Sequence, residues 1–179
     1  MIYVLLANGF EEIEALAFID ILRRADIPTA SVSIYDDLKV TGAHNISVIS
    51  DLCINDIQNS DIDAIVLPGG MPGTLNLLDS DKVRTLINYA FDNNKYLGAI
   101  CAAPMILGKM SLLNNKKATC YPGFENELIG AQVLKDDVVK DGNIITSRGA
   151  GTAHIFAHCF ISAFKSKDKA DEVISSMQY

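Results

Sequence analysis

The chain has 179 residues, of which 49% are hydrophobic and 21% charged. At that length one domain spanning residues 1–179 buries roughly 70% of its unfolded surface, so a core can form without disulfides or a structural metal. The 22 acidic and 15 basic residues give a net charge of −7 spread along the sequence; such a surface repels phosphate backbones and excludes nucleic acid as a partner.

Met1 leads directly into Ile2–Leu6, an apolar run too short for a signal-peptide core or a membrane span. It reads as a first buried strand. A helix over Glu11–Ala25 follows, then strands at Thr29–Ile34, Ile46–Ile49 and Ala64–Leu67. Next come a helix over Asp81–Asn93, a strand at Tyr96–Ile100, a helix over Ala102–Met110 and a strand at Ala118–Cys120. Val138–Lys140 and Ile144–Thr146, joined through Asp141-Gly142-Asn143, read as a hairpin, and helices over Ala150–Phe164 and Lys167–Met177 close the chain. Short apolar runs alternating with amphipathic stretches predict an α/β protein with a doubly wound, mainly parallel sheet and helices on both faces. The expected setting is cytoplasmic, without membrane contact. Cys53, Cys101, Cys120 and Cys159 lie far apart and form no C-x-x-C pair, so they are expected to stay reduced.

Sheets of this class bind ligands beyond the carboxyl ends of their strands, which directs attention to the residues just after each strand. Cys101 lies in Gly98-Ala99-Ile100-Cys101-Ala102-Ala103-Pro104, between an apolar strand and a helix, with small neighbours. A nucleophile on a tight strand-to-helix turn needs small neighbours of this kind. A following helix N-terminus predicts a thiolate with a lowered pKa. A free cysteine in another context is more often a small buried hydrophobe.

Glu14 shares a helix stripe with Phe18, Ile21 and Ala25, so it points to the core, whereas Glu12 falls nearer Asp20 and Arg23. Desolvation predicts a raised pKa at Glu14, and with it a proton to donate or relay. Gly69 and Gly70 follow the strand Ala64–Leu67, and their N–H groups are candidates for an oxyanion hole with that of Ala102.

Other patterns carry less. Gly149-Ala150-Gly151 opens a helix, but His154 occupies the place of a third glycine, which excludes a dinucleotide loop. His154 and His158 are four apart, yet Ile155 stands where a metalloprotease motif requires Glu. Neither a cofactor nor a metal is expected.

Four ordered segments, Gly9-Phe10-Glu11-Glu12-Ile13-Glu14, Leu67-Pro68-Gly69-Gly70, Ala99-Ile100-Cys101-Ala102-Ala103-Pro104 and Thr146-Ser147-Arg148-Gly149-Ala150-Gly151-Thr152, resemble the ThiJ/PfpI superfamily and, within it, the DJ-one branch. The resemblance runs from about residue 1 to about residue 170. It implies a flavodoxin-like fold, commonly a homodimer, with Cys101 at a nucleophile elbow, Glu14 as its carboxyl partner and Gly70 as the backbone donor facing the sulfur. Members proposed as peptidases carry His directly after the cysteine. Ala102 fills that place here, so a base for peptide cleavage is missing. Some relatives place a histidine where this chain has Tyr121, a poor base near neutral pH with a reference pKa of ~10. His44, approaching from a partner subunit, and Arg148 are accessory candidates.

The function so implied is chemistry on small reactive aldehydes or glycated groups, of the glutathione-independent glyoxalase or deglycase type. The alternative is a redox sensor or stress-response chaperone acting through oxidation of Cys101. A role in thiazole monophosphate synthesis belongs to the historical family name, and no phosphate site in the sequence supports it.

Overall fold

The computed structural model describes residues 1–178. In chain order the strands and α-helices are β1 (Ile2–Leu6), α1 (Glu12–Arg24), β2 (Thr29–Ser33), β3 (Lys39–Thr41), β4 (Ser47–Ile49), β5 (Leu52–Cys53), β6 (Ala64–Leu67), α2 (Gly73–Asp79), α3 (Asp81–Asp92), β7 (Tyr96–Ile100), α4 (Pro104–Lys109), β8 (Lys117–Ala118), β9 (Gln132–Val133), β10 (Val138–Asp141), β11 (Ile144–Ser147), α5 (Ala153–Phe164) and α6 (Lys167–Ser176). The central sheet has the order β10-β11-β7-β6-β1-β2-β5. Every pair in it is parallel except β10 with β11, the predicted hairpin. This is the mainly parallel arrangement that the alternation of apolar and amphipathic segments predicts, and the flavodoxin-like fold that the resemblance implies.

Apolar runs without a polar face are what a doubly covered sheet requires. Along β1, Ile2, Val4 and Leu6 join one apolar cluster with residues of α1, α5 and α6, while Tyr3 and Leu5 join the other with residues of α3 and α4. Period-two alternation thus feeds two cores, one on each face.

Three details differ from the sequence reading. The strand expected at Ile46–Ile49 is β4, and it pairs only with β3 in a separate hairpin. The strand expected at Ala118–Cys120 is instead Lys117–Ala118, paired with β9 outside the main sheet, which leaves Cys120 in a loop. Two-residue strands such as β5, β8 and β9 are too short for any periodic signal. Lastly, Ala102 and Ala103 form a turn and α4 begins at Pro104, whose fixed φ and missing N–H suit the first helical turn.

Phe18, Phe156 and Phe160 are fully buried above β7, with ring centroids 5.0–5.2 Å apart. Gly98 lies directly beneath them: a Cβ there would come within 2.6 Å of Phe160 Cζ. Gly98→Ala is therefore expected to lose about 1–3 kcal/mol by overpacking, read as a lower urea midpoint; an unchanged midpoint would contradict this packing.

The polypeptide leaves β1 toward β2 on one side and later returns to place β6 on the other. The crevice at the carboxyl ends of β1 and β6 is the switch point of the sheet. The loops after β1, β6, β7 and β11 all emerge beside it. No helix among the described residues is long and apolar enough to cross a membrane.

Candidate active site

Cys101 follows β7 with φ of +64°, in the left-handed region that non-glycine residues rarely occupy. Two hydrogen bonds from neighbouring segments hold it there. Its N–H donates to the Ser147 carbonyl at the end of β11 (2.9 Å), and its carbonyl accepts from the Tyr121 N–H (2.8 Å). Strain at a reactive residue persists when the surroundings fix it in this way. Cys101 is half-buried, and the N–H groups of Ala102 and Gly70 are directed at its sulfur.

Glu14 projects from the buried face of α1 and is 2% exposed. Its Oε2 accepts a hydrogen bond from the Gly69 N–H at 2.8 Å, and the carboxyl is hydrogen-bonded to the Cys101 thiol. Its Oε1 is buried without a hydrogen-bond partner among the described residues. The oxygen looks toward Gly149, where a Cβ would lie 4.0 Å from it. Gly69 can carry no side chain, since a Cβ would sit 2.6 Å from Cys101 Cβ and 2.8 Å from Glu14 Oε2. Gly70 has φ of +90°, and a Cβ there would collide with the main chain of Gly9, Phe10 and Glu11.

Burial pushes the Glu14 carboxyl up to about 7, against the opposing hydrogen bonds from Gly69 and Cys101. Cys101 moves opposite to the sequence expectation. Burial, then the neighbouring Glu14 charge, raise its thiol to about 12, and the Ala102 and Gly70 N–H groups offset only part of this. The helix expected to stabilise a thiolate is six residues long and starts three residues later, so its dipole acts weakly. The two groups behave as one unit that takes up a single negative charge near neutral pH and resists a second.

The remaining predicted residues separate. Gly69 packs against Cys101, but its N–H donates to Glu14 and not to the sulfur. Ala102 and Gly70 are the backbone donors at the sulfur. Tyr121 is exposed, with its ring against Gly149. Its backbone supports the elbow. His44 stays away from Cys101 within the chain: its N–H donates to Glu12 Oε1 (2.8 Å), and its ring Nδ1 pairs with Oε2 (2.9 Å). Glu12 is accordingly buried, contrary to its predicted outward position, because the β3–β4 hairpin folds over it. Arg148 turns toward the Lys135 carbonyl (3.4 Å) and Asp137 (3.9 Å). Ser147 and Tyr121, which fix the elbow, act through main-chain atoms and so leave no signal in the sequence.

A model of the DJ-1/PfpI family matches residues 1–163. The chain belongs to the DJ-1/PfpI family. Protein DJ-1 homolog B of Arabidopsis thaliana is 34% identical over 169 residues, covering 94% of this chain. The chain spans only 39% of that relative's length. The glutathione-independent glyoxalase DJ-1 of Schizosaccharomyces pombe is 32% identical over 181 residues, covering 96% of this chain and 94% of the relative. Among solved structures, oxidized Toxoplasma gondii DJ-1 superposes with a TM-score of 0.95 at 31% identity, covering 99% of this chain and 97% of that one. Glu14 is the titratable side chain hydrogen-bonded to the cysteine.

Proposed function

We propose that this protein converts small 2-oxoaldehydes to 2-hydroxy acids without glutathione, using Cys101 as nucleophile and Glu14 as its base. The observation that carries this reading is the hydrogen-bonded pair itself, with a carboxyl at about 7 against a thiol at about 12. A thiol so raised is protonated at neutral pH and needs a base in contact with it. Glu14, titrating near neutrality, suits that task. The Schizosaccharomyces pombe relative supports the substrate class.

In this mechanism Glu14 takes the thiol proton as sulfur bonds to the aldehyde carbon. The carbonyl electron pair moves to oxygen, which the Gly70 and Ala102 N–H groups stabilise until Glu14 hands it the former thiol proton and is again a carboxylate. Glu14 then removes the hydrogen from the former aldehyde carbon as a proton and returns it to the adjacent carbon. The hemithioacetal hydroxyl proton passes to the ketone oxygen in the same shift, so that a ketone and a hemithioacetal become a hydroxyl and a thioester. Water hydrolyses the thioester, freeing the hydroxy acid and the thiol. For methylglyoxal the sum is addition of one water to give lactate. The test is glutathione-free incubation of the full chain with methylglyoxal: stoichiometric lactate supports the reading, and folded protein giving none overturns it.

A second reading, oxidation sensing at Cys101, is favoured by the same N–H groups, which suit a sulfinate oxygen. Graded peroxide should then oxidise Cys101 ahead of Cys53 and Cys159; equal oxidation of the three would remove it. A homodimer is supported by exposed Ile13 and Leu16 on α1 and by Ile46 and Ile49 on the hairpin that Glu12 and His44 tie to α1. Light scattering should return twice the 19.4 kDa chain mass; the monomer mass would contradict it.

A further inference from the structure

Next to the Cys101 site, and separate from it, lies a cavity of about 360 Å³ whose wall includes Thr119, Cys120, Glu125, Leu134, Lys135 and Arg148. It shares Arg148 with a second opening, lined by Tyr121 and Gly149, on the side of Glu14. Three observations show that its polar groups are underused. Thr119 is 1% exposed, and its N–H donates to Thr146 Oγ1 at 2.9 Å, yet its own Oγ1 has no partner among the described residues. A buried hydroxyl in that state calls for a ligand or a water. Among the described residues the Arg148 side chain makes a 3.4 Å contact to the Lys135 carbonyl and a 3.9 Å approach to Asp137, which engage a minority of its five donors. Lys135 is exposed at the rim and adds a second cation.

The opposing charges are Glu125, one of whose oxygens accepts from the Gly123 N–H (2.7 Å), and Asp137, which stands beside Arg148 outside the cavity wall. Cys120 is a neutral thiol at cellular pH, because burial pushes it up to about 11. The cavity wall itself carries two cations, Lys135 and Arg148, against the single carboxylate Glu125, with Asp137 set outside it at 3.9 Å from Arg148. Leu134 supplies an apolar side.

We propose that this cavity binds a small 2-hydroxy carboxylate, its carboxylate on Arg148 and Lys135 and its hydroxyl on Thr119 Oγ1. The ligand class coincides with the product of the proposed reaction, and in that one respect the inference rests on that reading. The site lies behind Tyr121, whose N–H holds the Cys101 elbow, with Cys120 of the cavity wall as its chain neighbour.

Calorimetric titration of the full chain with lactate and with propionate, its analogue lacking the hydroxyl, tests this without any turnover. A failed glyoxalase assay therefore leaves the binding result readable. Lactate is expected to bind about tenfold more tightly than propionate, the ratio one net hydrogen bond supports. Thr119→Val should erase that preference while retaining propionate binding. Lys135→Met, at an exposed position that folding tolerates, should weaken both acids several-fold. Absence of saturable lactate binding, equal affinity for the two acids, or a preference that survives Thr119→Val would overturn the proposal.

Discussion

Cys101→Ser is expected to lower glutathione-free turnover of methylglyoxal by roughly 10³-fold or more, with the fold intact. The serine hydroxyl is nearly isosteric with the thiol, and the hydrogen bonds that hold the elbow come from the main chain, so the +64° conformation should persist. What disappears is the sulfur, whose thioester intermediate allows the carbon-to-carbon proton shift to end in an easily hydrolysed product. An oxygen ester formed at the same place would hydrolyse more slowly and form less readily. Circular dichroism and the urea midpoint of the variant should match the parent. Retained turnover would remove Cys101 from the chemistry.

Glu14→Gln has the second large effect, and it moves two observables in opposite directions. Turnover should fall by about 10² to 10⁴, the range for a lost general acid–base. The thiol should nevertheless become easier to ionise, because the neighbouring carboxylate charge that helps hold it at about 12 is gone, while burial still keeps it above an ordinary cysteine. Alkylation of Cys101 at alkaline pH should therefore be faster in the variant. A purely structural role for Glu14 would not produce this split.

Stability follows with a defined sign. Glu14 has a folded pKa raised from 4.5 to about 7. Its proton therefore favours the folded state fully below about pH 4.5, and that contribution is lost as pH rises through 7. Relative to the parent, Glu14→Gln should gain stability between those values, by at most about 3 kcal/mol at about pH 8. Little difference is expected at about pH 4, below the unfolded carboxyl's pKa. Denaturant unfolding at the two pH values reads this directly.

What a sequence discloses of such a site depends on the range of the forces involved. Cys101 and Glu14 can be placed together because each obeys a local rule: one ends a buried strand, and the other lies on the apolar stripe of a helix. Gly69 and Gly70 can be placed nearby by the same rule, but which N–H serves which partner is a matter of small displacements that no local pattern encodes. Glu12 shows the same limit. Its burial comes from a hairpin distant in sequence, and its partner His44 lies 32 residues away.

The Cys101 thiol departs from the sequence expectation for a related reason. A helix N-terminus is visible in sequence, whereas the desolvation that outweighs it is set by the whole fold. Arg148 sits in a recognisable motif, but its long side chain turns to Lys135 and Asp137, which only the β10–β11 pairing brings near.

The most direct test is the pH dependence of kcat/KM for methylglyoxal, measured without glutathione between about pH 5 and 9, a range that brackets the carboxyl's titration. Glu14 must be ionised to accept the thiol proton, and it titrates at about 7. The rate should therefore fall about tenfold per pH unit below that value and level off above it. A profile that is flat across this range, or one that rises as pH falls, would contradict the assignment of Cys101 and Glu14 as one catalytic unit.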